Sequence, residues 1–169
     1  MLKSILFIGR IEKDKGIFEL IEAFKRLIDL GYSKIQLNII GSGKDTQKII
    51  SLINDYDLNG LVTLHGNVSD SSKLKAFYMN SDFFILPTYH EGFPRVLYEA
   101  MIFRVTIITT FVGSINDLMI DEYNCFKMVK IFSNDELIDP ILNNATLTVK
   151  NYLIENFRSH EDIVNLFLK

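Results

Sequence analysis

The chain has 169 residues, 48% of them hydrophobic and 23% charged, and a formal net charge of -3. This is the make-up of one ordinary soluble globular domain, able to bury roughly 70% of the surface its unfolded form exposes, so a core can form without metal or disulfide staples. The slight acidic excess gives no electrostatic case for nucleic acid, so any anion must be met by a local site.

In chain order, the apolar pattern alternates between short runs and longer stretches of helical period, the sign of βαβ units and a parallel sheet. Residues 4–8 (SILFI) are expected as a first strand ending at Gly9. Residues 16–30 follow as a helix with Phe18, Ile21, Phe24 and Ile28 on one face and Gly31 at the helix stop. Strands are expected at 35–40, 61–65, 83–86, 105–109 and, more weakly, 125–129, with helices at 44–56, 72–80, 94–103 and 114–120 between them. Pro94 is placed to open its helix in the first turn. After Asp135 the pattern is helical to the end, with Ser159 and Asp162 spaced like a capping box. The expected fold is a single α/β domain over residues 1–169: a Rossmann-like, doubly wound parallel sheet of about six strands with a helical C-terminal tail.

Lone Cys125 has no disulfide partner and no Cys or His neighbour at metal-ligand spacing, which fits a reducing compartment. No apolar run reaches the roughly 20 residues of a membrane span, and LKSILFIGR is too short for a signal peptide, so a cytoplasmic location is expected. The N-x-[ST] triplets at Asn67 and Asn144 are then chance.

Doubly wound sheets bind ligands beyond the carboxyl ends of their strands. The first such loop, GRIEKDKG, carries Arg10, Lys13 and Lys15 just before a helix, a plausible phosphate site because helix N-H groups and dipole add to the charge. A solvated basic loop balanced by Glu12 and Asp14 is the other reading, and it stays open. No G-x-G-x-x-G follows the first strand and no G-x-x-x-x-G-K-[ST] occurs anywhere, which argues against a dinucleotide oxidoreductase and a P-loop nucleotidase. A phosphoacceptor receiver domain would need acidic residues where this chain has Gly9-Arg10 and His65-Gly66. In GSGK, Gly41 and Gly43 allow either close ligand contact or simply a tight turn.

The most informative loop is EGFPRVLYEA, residues 91–100. Glu91 falls just outside the helix and Glu99 about a turn and a half inside it, so the two do not form an acid and base pair on one bond. Between them lies a helix N-terminus whose N-H groups, at Phe93 and from Arg95 through Val96 to Leu97, can receive an anion. One carboxylate on each side suits a nucleotide sugar, with hexose, diphosphate and ribose in line, while a simple loop acid at Glu91 and a surface helix residue at Glu99 are the other reading.

IGR with KG five residues after the arginine, IIGSG, VTLHGNV, SDFFILPTYHEGFPRVLYEAM and the tail FRSHEDIVNLF occur in one order over the whole chain. Together they resemble the carboxyl-terminal, donor-binding domain of the retaining glycosyltransferases of family 4, which have GT-B architecture. The resemblance implies catalytic roles for Arg10 and Lys15, on the donor diphosphate and leaving group, and for Glu91 beside the transferred sugar. It implies donor contacts from Gly9, Gly41, Gly43, Gly92, Phe93, Pro94, Arg95 and Val96, with Glu99 on the ribose. It implies no metal and no cofactor, a nucleotide-diphosphate sugar as substrate, and an acceptor glycan or lipid-linked sugar bound by an amino-terminal domain that this chain lacks. The chain alone is therefore expected to be inactive. The enzyme it resembles builds capsule, O-antigen or exopolysaccharide in the bacterial cytoplasm, at full length as a peripheral protein of the inner membrane face. Tail residues Phe157, Ile163, Phe167 and Leu168 resemble the helix that crosses to the other domain and are candidates for self-association. Departures fall at Phe103, Arg104 and Thr106, at Gly113, Ser114, Asn116 and Asp117, and at Tyr123, Asn124 and Cys125. A degenerate, non-catalytic nucleotide-binding or interaction module is the alternative.

Overall fold

The computed structural model describes residues 2–92 and 94–128. Six strands, Lys3–Ile8 (β1), Ile35–Ile40 (β2), Val62–Leu64 (β3), Phe83–Leu86 (β4), Thr106–Thr110 (β5) and Phe126–Met128 (β6), form one sheet in the order β3-β2-β1-β4-β5-β6. All neighbours are parallel, with Ile5 beside Phe83 and Leu6 beside Phe84 at the centre. Parallel strands covered on both faces carry continuous apolar runs. Accordingly every residue of β4 and β5 is buried, as are Ser4 to Phe7 of β1. Each fully buried aliphatic or aromatic side chain contributes about 1.5–3 kcal/mol, so these three strands are the firm base of the loops that follow them.

The helices are Ile17–Asp29 (α1), Thr46–Asp55 (α2), Ser71–Met79 (α3), Arg95–Ile102 (α4) and Ile115–Leu118 (α5). In α1 the buried face is Ile17, Leu20, Ile21, Ala23, Phe24 and Leu27, while Phe18 and Ile28 lie at its margin. The face is thus rotated by about a residue from the expected one, because a core-facing helix buries a band wider than one stripe. Gly31 closes this helix as expected, its N-H donating to the Ile28 carbonyl at 2.9 Å. The Asp70 carboxylate starts α3 by accepting from the Ser72 and Lys73 N-H groups. Pro94 does not sit in the first turn of α4: it is the N-cap residue, and the helix begins at Arg95.

The chain runs outward from β1 through β2 to β3, then returns to lay β4, β5 and β6 on the other side. Strand order therefore reverses between β1 and β4, and the loops after those two strands flank the crevice. The C-terminal helical tail, its capping box, Asn144 and the candidate self-association residues lie outside the described residues. No helix among the described residues is long and apolar enough to cross a membrane.

Candidate functional site

The loops after β1 and β4 are locked together at their backbones. The Asp14 carbonyl accepts from the Tyr89 N-H at 2.9 Å and from the Thr88 hydroxyl at 3.2 Å. Gly16, with φ of 67°, precedes α1 where a Cβ would stand 2.0 Å from the Pro87 carbonyl oxygen. Only glycine combines this left-handed turn with so close an approach. Residues Lys13–Lys15 form a single 3-10 turn that delivers Lys15 toward the second loop.

Lys15 donates from Nζ to Glu91 Oε1 at 2.6 Å and to the His90 carbonyl at 3.3 Å. The Lys15 and Glu91 side chains are only 11% and 14% exposed. A pair this sheltered is screened less than a surface pair. Arg10 behaves differently: 61% exposed, it donates to Glu12 Oε2 at 3.0 Å and to Asp14 Oδ2 at 3.3 Å. Arg10 is thus balanced by its own loop's acids, as one reading of the basic loop expects, while Lys15 reaches across the switch point to Glu91.

Gly41 and Gly43 lie where the second loop presses on the first. A Cβ would come 1.9 Å from the Gly9 oxygen at Gly41 and 2.3 Å from the Ile11 oxygen at Gly43. Asp45 ties the same loops, accepting from the Lys13 N-H at 3.2 Å and from Lys48 Nζ at 2.9 Å. Lys48 first, then the Lys13 amide, hold this carboxyl below its usual pKa against the opposing cost of burial. A pocket of about 360 Å³ opens here, lined by Gly9, Arg10, Gly41, Asn67 and Val68 among others.

At the start of α4, Gly92 and Arg95 are exposed, Pro94 is buried and Val96 is half-buried. Phe93 lies outside the described residues. The Leu97 N-H is committed to the Pro94 carbonyl at 2.9 Å, which removes it from the amides expected to meet an anion. Glu99 is half-buried, and its Oε2 accepts from the Tyr78 hydroxyl at 2.8 Å. Tyr78 is a core residue stacked on Phe103, with ring centroids 5.3 Å apart, and burial, then the Glu99 charge, raise its phenol pKa far above the usual value.

Sequence reasoning missed Thr88, Tyr89 and Tyr78, the role of the Asp14 carbonyl and the contact of Ser114, whose partners lie across the fold. The Ser114 hydroxyl donates to the Gly92 carbonyl, and the Tyr89 hydroxyl to Glu19 Oε1 at 2.7 Å. Among the described residues no group of at least three His, Cys, Asp or Glu side chains gathers to hold a metal ion.

Residues 2–160 match the family model described as glycosyl transferases group 1. The capsular polysaccharide biosynthesis glycosyltransferase CapM of Staphylococcus aureus is 33% identical over 96% of this chain. The alignment covers 46% of CapM, so the chain spans about half the length of that relative. Among solved structures, the C-terminal domain of the glycosyl transferase group 1 family protein LpcC from Francisella tularensis superposes with a TM-score of 0.78 at 22% identity, covering 93% of this chain and 86% of that one. The pneumococcal O-GlcNAc transferase GtfA, solved with UDP and GlcNAc, has a TM-score of 0.78 at 19% identity, over 97% of this chain and 34% of its own. The architecture is that of a GT-B carboxyl-terminal domain. By the match along nearly all its length, the chain belongs to the group 1 glycosyl transferases.

Proposed function

We propose that this chain is the donor-binding half of a retaining glycosyltransferase of family 4, acting on a nucleotide-diphosphate sugar in bacterial surface polysaccharide assembly. The observation that carries the reading is the sheltered contact of Lys15 with Glu91 at the switch point, 2.6 Å long, immediately before the N-terminus of α4. A cation, a carboxylate and a helix N-terminus together provide for a diphosphate and for the hydroxyls of the sugar beside it.

In this reading the nucleoside lies over Gly9 and Gly41 in the pocket bounded by Asn67 and Val68, and Glu99 accepts from its ribose. The diphosphate exchanges with Glu91 for the Lys15 ammonium and draws Arg10 from Glu12 and Asp14. As the glycosidic bond breaks, negative charge builds on the leaving diphosphate. Arg10 and Lys15 stabilise that charge where it develops, with no metal required. Glu91 and the turn of Gly92, Phe93 and Pro94 hold the departing sugar. The acceptor glycan or lipid-linked sugar is bound by an amino-terminal domain of the kind that makes up the remainder of a GT-B enzyme, whose closure excludes water.

The relative CapM and the UDP-bound GtfA structure support this reading of substrate class. The test is a thermal-shift titration with UDP, GDP, ADP and CMP. A ligand at about 100 times its dissociation constant adds about 2.7 kcal/mol, so one of the diphosphates should raise the melting temperature by several degrees. Absence of a shift with all of them sinks the proposal.

A further inference from the structure

The loop after β5 braces the turn that carries Glu91 from the side opposite Lys15. At Gly113, where φ is 54°, a Cβ would stand 2.0 Å from the Glu91 carbonyl oxygen, so backbone lies directly on backbone. The next residue, Ser114, donates its hydroxyl to the Gly92 carbonyl. Ser114 also occupies the N-cap position of α5, where a serine ordinarily accepts from an N-H of its own helix. It makes no such capping bond. The Gly113 carbonyl instead accepts from the Asn116 side-chain amide at 3.2 Å and from its backbone N-H at 3.3 Å. The hydroxyl has been turned from its local role to a contact 22 residues away.

We propose that Ser114 is a positioning residue: its bond to the Gly92 carbonyl, beside the packing of Gly113 on the Glu91 carbonyl, fixes the backbone on the C-terminal side of Glu91, and so aims the carboxylate at the ligand. A turn that must leave its amides open to an anion has few bonds of its own, and one that is loose in the free protein must be ordered at the expense of affinity. Lys15 holds the Glu91 side chain and the His90 carbonyl from one side, while Ser114 holds the Gly92 carbonyl from the other. This inference rests on the proposed role of Glu91 beside the transferred sugar.

Hydrogen-deuterium exchange on the ligand-free protein tests the latch itself, comparing wild type, Ser114→Ala and Ser114→Thr. Ser114→Ala should speed exchange in the segment Thr88 to Gly92 and leave β1 unchanged, and Ser114→Thr, which keeps the hydroxyl, should restore the slow rate. Calorimetry with UDP-glucose and GDP-mannose tests the consequence. Ser114→Ala should weaken the bound probe by about fivefold, the scale of one lost hydrogen bond, with no further loss in a Glu91→Gln background. Unchanged exchange in Ser114→Ala, or failure of the threonine to restore it, overturns the proposal, as does full additivity with Glu91→Gln. If exchange responds as stated while wild type binds neither probe, the latch stands and the donor-binding reading is what fails.

Discussion

Tyr78 and Glu99, separated by 21 positions, join α3 to α4 through the hydroxyl's bond to Oε2. Tyr78→Phe keeps the ring stacked on Phe103 but leaves a half-buried carboxylate oxygen without its partner, at a cost of about 1–3 kcal/mol. Urea unfolding should show the loss, and nucleotide titration should show weaker binding, since Glu99 is then free to leave the orientation proposed for the ribose. At this scale the sequence was legible only in part. Lys15 and Glu91 could be named because each sits in a short motif whose neighbours, Gly16 and Gly92 with Pro94, mark a strand-to-helix loop. The Glu12 and Asp14 partners of Arg10 were one reading of the basic loop, but nothing in the order of residues told that Tyr78 meets Glu99 or that Ser114 meets Gly92. Such contacts depend on side-chain rotamers and on which helices pack side by side.

Among elements, the junction of the first and fourth loops carries the tightest constraint. Gly16→Ala forces a side chain into a left-handed turn, which costs roughly 1–2 kcal/mol. It also drives the new Cβ into the Pro87 carbonyl, 2.0 Å away, which only a backbone shift can relieve. The variant should lose at least about 2 kcal/mol in chemical denaturation and bind nucleoside diphosphate more weakly, because Lys15 is carried out of reach of Glu91. The strands were legible since an uninterrupted run such as FFIL, preceded by Asp82 and ended by Pro87, has little choice but the middle of a parallel sheet. Element ends were less so. Pro94 fits either the N-cap or the first turn, and the Leu97 N-H to Pro94 carbonyl bond decides for the N-cap.

On the scale of the whole molecule, parallel order alone gives a doubly wound sheet, but the site follows from one topological choice. Placing β4 beside β1 rather than β3 brings the loop of residues 9–16 against that of residues 87–94. The alternation of strands and helices could not fix that order; the resemblance of the loops could. Asp45 links the neighbouring loops electrostatically, with a pKa below its ordinary 3.8 when folded. Its contribution is complete above that value and is lost as pH falls through the lower folded value. The gap in urea midpoint between wild type and Asp45→Asn should accordingly be widest near neutrality and narrow below about pH 4. A gap constant from neutrality to pH 3 would show that charge is not how Asp45 acts. The central claim, that the switch-point loops bind a nucleoside diphosphate through Lys15, is tested most directly by calorimetric titration of Lys15→Ala beside wild type. Loss of a charge-assisted bond of about 1.5–3 kcal/mol predicts roughly ten- to hundredfold weaker binding with the fold intact. Equal affinity in the two proteins would contradict the account.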